Sequence, residues 1–326
     1  PANYVSGNTD CDDSDSAISP IAIDFCDNID NDCSGLVDDN IPPQYEDADG
    51  DGFGDPAIDY YYCGLQPGFV YDNADDCDDS DFEVHPYAYE VSNDRTDNDC
   101  DGYTDSADPQ TVTTFTLGDD AGTLVSLTAG FPFCGTTYSS VYMQSNGRLT
   151  FGSNDTAHIE TASEFANDIS IAPLWDDMNP TVGSPTLAYV RHSDATAFYW
   201  RSLREYGSGN TNTFSVVLYD DGRVLMDWGA VAARDGLAGW SCGGGGSITE
   251  ENLTLNYVYR DEGAWGLGDG QDSYTYEIFT SNDNDLDYYQ IRFCTNVGTD
   301  ADGDGWDYSC GDMDDHNPDI YPGNGM

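Results

Sequence analysis

The sequence predicts a mainly β fold: an antiparallel β-sandwich with helix-poor loop repeats at both termini. Three observations predict it. Residues 111–295 hold short runs in which apolar and polar residues alternate, as in a strand with one buried face. No segment sustains the apolar period of about 3.6 residues that a helix would show. Both ends of the chain carry Asp-rich strings that recur at a fixed spacing, which indicates repeated structural units.

The composition excludes several classes of partner. The 326 residues include 52 Asp, 10 Glu and 9 Arg but no Lys, so the formal net charge is −53. Nucleic acid and anionic lipid would repel such a chain. No apolar run approaches the roughly 18 residues of a membrane span, so we expect no membrane insertion. Ten Cys, and a first residue that is not Met, favour a secreted, extracellular protein whose signal peptide has been removed.

The charge divides the chain into three predicted domains. Residues 1–108 carry a net charge of −29 and contain two Asp-rich repeats. Residues 109–298 carry −16 and contain the sandwich, and residues 299–326 carry −8 and contain a partial repeat. The two ends therefore resemble each other, and the middle has a more ordinary composition.

Alternation within the middle domain marks strands near 124–127, 140–143 and 213–219. We expect about 10 short strands in all. Asn146-Gly147 and Asp221-Gly222 predict two-residue hairpin turns, because these residues adopt positive φ at low cost.

The N-terminal domain repeats itself at a spacing of 66 or 67 residues. The string Asp-Cys-Asp-Asp-Ser-Asp at 10–15 recurs at 76–81, and the string at 30–35 recurs in closely related form at 97–102. Between the copies, Asp-Ala-Asp-Gly-Asp-Gly occupies 47–52 and has an identical twin at 300–305. Such regular spacing indicates specific sites, since a merely solvated acidic surface needs none.

Four stretches fit the spacing Asp-x-Asp-x-[Asp/Ser]-Gly. In a calcium loop, positions 1, 3 and 5 offer side-chain oxygens, Gly at 6 permits a sharp turn, position 7 offers its carbonyl and position 9 a further oxygen. We expect the side chain at position 7 to pack. No Glu stands at position 12 and no helical pattern flanks the loops, so they are not EF-hands. The predicted ligands are Asp30, Asp32, Ser34, Leu36, Asp38, Asp47, Asp49, Asp51, Phe53, Asp55, Asp97, Asp99, Asp101, Tyr103, Asp105, Asp300, Asp302, Asp304 and Trp306.

The closing ligands of these loops must come from elsewhere, and the neighbouring Asp-x-Asp-Asp-x-[Asp/Asn] segments are the predicted donors. Their candidate ligands are Asp10, Asp12, Asp13, Asp15, Asp76, Asp78, Asp79, Asp81, Asp312, Asp314, Asp315 and Asn317. Several Ca²⁺ ions are thus the predicted cofactors. Zn²⁺ or copper is disfavoured, because oxygen ligands dominate and the chain has only four His. An acidic surface without specific sites is the alternative.

These acidic strings resemble the repeats of MopE-like secreted bacterial surface proteins, and the loops are similar to thrombospondin type 3 calcium repeats. The resemblance covers the terminal blocks and implies calcium-stabilised, disulfide-pinned, helix-poor modules at a cell surface. Two departures stand out: Asn93 replaces the Cys26 of the first copy, and Met313 takes a Cys position. The copper association of the MopE name is not carried over, because copper needs His and a modified Trp, and no matching cluster occurs.

The middle domain has a resemblance of its own. The strings at 131–135, 145–152 and 171–177 look like those of a nidogen-like extracellular β-sandwich. The resemblance implies a fold used for binding or scaffolding. Asp176 and Asp177 could join a metal site, but capping of their loop is the favoured interpretation.

Ten Cys can pair completely, and local spacing suggests four of the bridges. We expect Cys26–Cys33, Cys63–Cys77, Cys294–Cys310 and Cys134–Cys242, which leaves Cys11 and Cys100 to pair together or with another subunit. A zinc site is disfavoured, because no Cys-x-x-Cys pair occurs.

The sequence argues against an enzyme. Gly239–Gly243 matches the Gly-x-Ser-x-Gly nucleophile pattern, but that pattern needs a following helix and Gly243–Gly246 disfavours one. The four His lie in unrelated contexts without an identifiable acid–base partner, so we expect packed or surface roles.

The favoured function is therefore an extracellular structural or adhesive protein whose acidic modules are stiffened by calcium. Because the last unit holds only half of the repeat, we expect self-association into a filament or surface layer. The alternative is a secreted module that binds a glycan or protein on an aromatic face of the sandwich. Its candidate residues, for most of which core packing is the favoured role, are Tyr199, Trp200, Trp228, Trp240 and Trp265.

Overall fold

The computed structural model describes residues 11–12, 18–20, 28–37, 43–61, 66, 68–71, 74–104, 111–245, 250, 252–254, 274–280 and 284–294. Within them, one short helix and three sheets of antiparallel strands confirm the predicted mainly β fold. No helix in these residues has the length and hydropathy of a membrane span. The elements are β1 Gln44–Glu46, β2 Asp59–Tyr60, β3 Phe69–Tyr71, β4 Thr113–Phe115, β5 Gly122–Phe133, β6 Thr136–Gln144, β7 Leu149–Thr150, α1 Ala162–Phe165, β8 Ile169–Trp175, β9 Thr186–Arg191, β10 Ala195–Arg204, β11 Thr211–Tyr219, β12 Arg223–Trp228, β13 Gly236–Cys242, β14 Tyr274–Phe279 and β15 Tyr289–Cys294.

Two six-stranded sheets form the sandwich. Sheet B has the order β15-β12-β11-β10-β9-β4, and sheet C has the order β14-β13-β8-β7-β6-β5. The segments expected near 124–127, 140–143 and 213–219 fall within β5, β6 and β11. Both predicted hairpins are present, but their turns are longer than the predicted two residues, since Gln144 pairs with Arg148 and Leu218 with Val224. Gly147 and Gly222 have φ of +73° and +102°, where a side chain would strain the backbone, whereas Asn146 and Asp221 keep negative φ.

A small third sheet, sheet A, was not predicted. Its order is β2-β1-β3, and it lies in the chain between the two Asp-rich repeats. The loop 47–58 connects β1 to β2, so sheet A fixes both ends of the stretch that begins at Asp47. The loop is therefore held by paired strands and does not depend on flanking helices.

Sheet B is buried on both faces. Along β10, Phe198 and Trp200 face sheet C, whereas Ala197 and Tyr199 pack on the opposite face. This alternation follows from the two-residue period of a strand. Residues of the N-terminal domain, here called the acidic modules, pack on this outer face and contribute Phe53, Tyr87 and Tyr89 to its apolar cluster.

The tryptophans in the described part of the chain are core residues. Trp200 and Trp228 donate through their indole nitrogens to the carbonyls of Gln144 and Pro173, each at 2.8 Å, and so tie sheet B to sheet C. Tyr199, Trp200, Trp228 and Trp240 are all buried. The favoured core role is therefore confirmed for these four residues, and the alternative of an aromatic binding face is wrong for them, because these large apolar groups fill the sandwich. Trp265 lies outside the described residues.

The disulfides correct part of the predicted pairing. Cys134–Cys242 is confirmed, and it joins the β5–β6 turn to β13. Cys33 pairs with Cys11, and Cys77 pairs with Cys100. The predicted bridges Cys26–Cys33, Cys63–Cys77 and Cys11–Cys100 are therefore wrong. In each repeat the chain folds back, so that the first Cys bonds to the Cys of the same repeat's calcium-type loop. The folded path of the chain therefore decides the pairing, and short sequence separation does not.

Cys26, Cys63 and Cys310 lie outside the described residues. The predicted bridge between Cys294 and Cys310 therefore stays a prediction.

Candidate metal centre

Three of the four predicted loops share one backbone geometry. The carboxylate at position 1 accepts a hydrogen bond from the amide of the Gly at position 6: Asp30 from Gly35 at 2.9 Å, Asp47 from Gly52 at 3.2 Å and Asp97 from Gly102 at 2.9 Å. Each Gly has φ between +80° and +94°, a region that favours glycine. The spacing therefore specifies the turn, as the sequence predicts; the loop at 300–305 lies outside the described residues.

Where both are described, the two N-terminal repeats make equivalent contacts. The backbone amide of Ser19 donates to the carbonyl of Asn31 at 2.8 Å, and that of His85, 66 residues later, donates to the carbonyl of Asn98 at 2.9 Å. Their disulfides also correspond, since each closes a separation of 22 or 23 residues. The sequence repeat is thus also a structural repeat at these two contacts.

Five carboxylates converge where the 47–55 loop meets the second repeat. One ligand oxygen from each of Asp47, Asp49 and Asp51 lies within 4.8 Å of the others, and Asp49, Asp76 and Asp79 form a second such group. Asp49 belongs to both groups, so the two segments form one cluster, here called the central cluster. The Asp-x-Asp-Asp segment at 76–79 thus lies beside the 47–55 loop, and its role as a donor of closing ligands stays a prediction.

Backbone hydrogen bonds fix the central cluster. The amide of Asp76 donates to the carbonyl of Gly54 at 3.3 Å, and the amide of Ala48 donates to Oδ1 of Asp79 at 2.6 Å. Within the loop, Oδ1 of Asp49 accepts from the amide of Asp51 at 3.2 Å, and Oδ1 of Asp51 accepts from that of Phe53 at 2.8 Å. One oxygen of each of these carboxylates thus holds the backbone.

The second oxygen of three of these carboxylates is buried without a hydrogen-bond partner: Oδ2 of Asp49, of Asp51 and of Asp76. Asp51 is fully buried and Asp76 is only 3% exposed. Burial, reinforced by neighbouring carboxylates, raises the pKa of Asp49 to about 7 and that of Asp76 to about 6. It raises the pKa of Asp51 to about 9 against the opposing effect of His85. Buried anions without donors are costly, and a bound cation would remove that cost.

The donor set fits a hard cation. It consists of carboxylate oxygens, which Ca²⁺ prefers. The sulfurs of Cys77 and Cys100 lie near Asp76 but are bonded to each other, so they offer no thiolate. The ring of His85 is occupied, since Nδ1 lies 2.9 Å from the carbonyl of Pro86 and Nε2 lies 3.5 Å from Asp227. Copper and zinc, which favour nitrogen and sulfur, therefore match these residues poorly.

A second group lies within the second repeat and includes a residue that the sequence reasoning missed. Ligand oxygens of Glu90, Asp97 and Asp99 lie within 4.8 Å of one another. Oε2 of Glu90 also accepts from the amide of Asn98 at 2.9 Å. The sequence carried a signal, because Asp24 stands 66 residues before Glu90 and both repeats thus have an acid there.

Several other predicted ligands hold local turns. Asp55 accepts from the amide of Ala57 at 2.7 Å, Asp81 from that of Glu83 at 3.2 Å and Asp32 from that of Ser34 at 2.9 Å. Asp78 accepts from the hydroxyl of Ser80 at 2.6 Å, and Asp101 from the amide of Tyr103 at 2.8 Å. The structure gives them a role in shaping the loops.

The expectation for the side chains at position 7 holds for one of the three described loops. Phe53 is buried, whereas Leu36 and Tyr103 are 62% and 49% exposed. The difference in exposure comes from tertiary packing, because of these three side chains only Phe53 lies against sheet B. Predicted ligands outside the described residues are Asp10, Asp13, Asp15, Asp38, Asp105, Asp300, Asp302, Asp304, Trp306, Asp312, Asp314, Asp315 and Asn317.

The sandwich has an acidic corner of its own. Asp119, Asp120 and Asp177 form a group of carboxylates at the ends of loops. The neighbouring Asp176 caps its loop, since its Oδ1 accepts from the amide of Asp177 at 2.6 Å. Burial and the charge of Glu160 raise the pKa of Asp176 to about 8. Asp176 thus has the predicted capping role, whereas Asp177 lies in the acidic group.

Comparisons with known families agree with these two regions. A family model described as NIDO related matches residues 96–262, which are 167 of the 326 residues. A MopE-type model described as a putative metal-binding motif matches 10–39, 76–106 and 312–324. No curated protein and no solved structure matches the chain.

Proposed function

The chain belongs to the NIDO-related family, and from that premise we propose that it is an extracellular, calcium-binding structural or adhesive protein of a cell surface. In the sequence, its metal-binding motifs lie before and after a disulfide-stapled β-sandwich. In this proposal Ca²⁺ neutralises the acidic modules and holds them rigidly against the sandwich. The proposal includes no catalytic activity; Ser241 of the Gly239–Gly243 match is fully buried in β13.

One observation carries the proposal: three buried, unpaired carboxylate oxygens, from Asp49, Asp51 and Asp76, lie in the same central cluster. Ca²⁺ suits such a site, because it accepts six to eight oxygen ligands in flexible geometry, whereas Mg²⁺ demands a near-ideal octahedron. The extracellular location is supported by the disulfides, which persist in oxidising compartments.

Calorimetric titration of the chelator-treated protein tests the metal. We expect Ca²⁺ to bind, and Mg²⁺ and Cu²⁺ to bind more weakly than Ca²⁺ at the central cluster. Thermal unfolding should then show a higher melting temperature with Ca²⁺ than with chelator. Absence of binding at millimolar free Ca²⁺, in protein with intact disulfides, would overturn the proposal.

Self-association into a filament or surface layer is the finer part of the proposal. The first repeat supports it by exposing three aliphatic side chains, Ile29, Leu36 and Val37, to 44%, 62% and 53%. Exposed apolar groups on an ordered module are suited to contact another molecule. Light scattering at rising protein concentration, with Ca²⁺ or with chelator, tests it: growth in mass with Ca²⁺ supports assembly, and a monomer under both conditions contradicts it.

A further inference from the structure

The central cluster lies against the outer face of sheet B. Phe53, which follows the loop's second Gly, packs in the same apolar cluster as Ala197, Tyr199 and Val217 of that face. The second repeat is held there as well, because the hydroxyl of Tyr199 donates to the carbonyl of Tyr87 at 2.8 Å. The central cluster and the second repeat are therefore both held against the sandwich.

Arg292 of β15 contacts the loop directly. Its guanidinium carbon lies 4.6 Å from the centre of the Phe53 ring, and its Nη2 donates to the carbonyl of Gly52 at 2.5 Å. The amide of Gly52 donates to Asp47 of the central cluster. Gly52 is thus hydrogen-bonded to the central cluster through its amide and to the sandwich through its carbonyl.

A second contact holds the same loop. The ring of His85 stacks on Phe53 with centroids 5.1 Å apart and planes 7° apart. His85 in turn faces Asp227 of β12 at 3.5 Å. The amide of Phe53 donates to Asp51, so the packing of Phe53 and the position of a ligand carboxylate are linked by one hydrogen bond.

We propose that Arg292 is a positioning residue of the metal centre, which holds the 47–55 loop in its ion-binding conformation and thereby couples cation binding to docking of the acidic modules on the sandwich. This inference rests on the proposed function. Coupling between binding and docking is reciprocal, so the ion stabilises the docked state to the same extent that docking strengthens ion binding.

The charge of Arg292 permits a sharp test, because positioning and simple electrostatics predict opposite signs. Removing a positive charge beside a cation site would strengthen cation binding if Coulomb repulsion were all that mattered. Loss of positioning would weaken it. We expect Arg292→Gln to lower the Ca²⁺ affinity of one site by about tenfold and Arg292→Lys, which keeps the charge but not the planar stack, to lower it less.

Arg191 provides the matched control. It stacks on Tyr189 at 4.7 Å and donates from Nε to the carbonyl of Ser126 at 2.8 Å. These are the same two kinds of contact, but both stay within the sandwich. Arg191→Gln should leave every Ca²⁺ affinity within twofold of the parent protein.

The titrations separate the two proposals. If the parent protein binds no Ca²⁺, the proposed function fails. If the parent binds and Arg292→Gln binds equally well or more tightly, the positioning role is wrong while the calcium site stands. Because Arg292→Gln could impair folding, near-ultraviolet circular dichroism must match the parent; if it does not, the comparison passes to Arg292→Lys, where unchanged affinity would overturn the inference.

Hydrogen exchange tests the reciprocal effect. Chelation should accelerate amide exchange at 82–89, which cover sheet B, while amides in β6 and β8 of sheet C stay protected. Uniform exchange across both sheets, or no response in 82–89, would contradict the coupling.

Discussion

The amide of Ala48 donates a 2.6 Å hydrogen bond to the carboxylate of Asp79, 31 residues later in the chain. This bond fastens the second repeat to the 47–55 loop. It brings Asp76 and Asp49 into one group of ligand atoms. The central cluster is therefore formed between two segments, neither of which supplies all of its carboxylates.

Asp51→Asn should have opposite effects with and without metal. In chelator it removes a fully buried carboxyl group whose pKa burial raises to about 9, so stability should stay equal or rise. With free Ca²⁺ at 100 times the parent's Kd, the parent gains about 2.7 kcal/mol, and most of that gain should be lost.

Thermal unfolding with calcium and with chelator measures both effects. Asp59→Asn, an exposed carboxylate in β2, is the control and should keep the parent's response. An equal response to calcium in the Asp51 and Asp59 variants would remove Asp51 from the site.

The disulfide of the second repeat should be required for its stability. Replacing both Cys77 and Cys100 with Ser opens a closed loop of 23 residues, and we expect the free energy of unfolding to fall by about 3 kcal/mol. Urea unfolding measures the loss. Peptide mapping without reduction checks the pairing itself, and a peptide linking Cys63 to Cys77 would contradict the structure.

Arg148 should be essential to the sandwich. It is fully buried, lies 2.8 Å from Asp155 and 3.2 Å from Asp168, and stacks on Trp175 at 4.0 Å. Arg148→Met would leave the two carboxylates without their shared cation, so we expect a loss of about 3 kcal/mol in urea unfolding. Arg223→Ala, which breaks a partly exposed pair with Asp221, should cost less than about 1 kcal/mol; equal losses would refute this distinction.

His192 should make the protein sensitive to mild acid. Burial lowers the pKa of His192 to about 4, from 6.5 in the unfolded chain, and its ring packs on Tyr87 at 4.8 Å. The unfolded state therefore takes up a proton first as the pH falls below 6.5. At about 1.4 kcal/mol per unit of pKa, folding should lose up to about 3 kcal/mol by pH 4, relative to His192→Gln.

The difference between the two proteins is the quantity to measure, because many carboxylates titrate over the same range and cancel in it. Urea unfolding at several pH values provides it. Parallel stability curves for the parent and His192→Gln between pH 7 and 4 would show that His192 has no such role.

The sequence by itself determined the loops and the class of fold. An Asp at position 1 reaches the amide of a Gly five residues on, as in Asp97 and Gly102, so residue spacing is sufficient to specify that turn. Alternation likewise placed β11, and Asp221-Gly222 placed the hairpin that follows it, because a strand's period and a turn's positive φ are properties of adjacent residues.

Only the tertiary structure decided which loops meet and what lies against them. The pairing of Cys77 with Cys100, the inclusion of Glu90 and the contact of Arg292 with Gly52 join residues 8 to 240 positions apart. Such contacts depend on how sheets and loops pack as a whole. The same motif can thus leave Leu36 exposed in one loop and bury Phe53 in another, since only the second loop packs against sheet B.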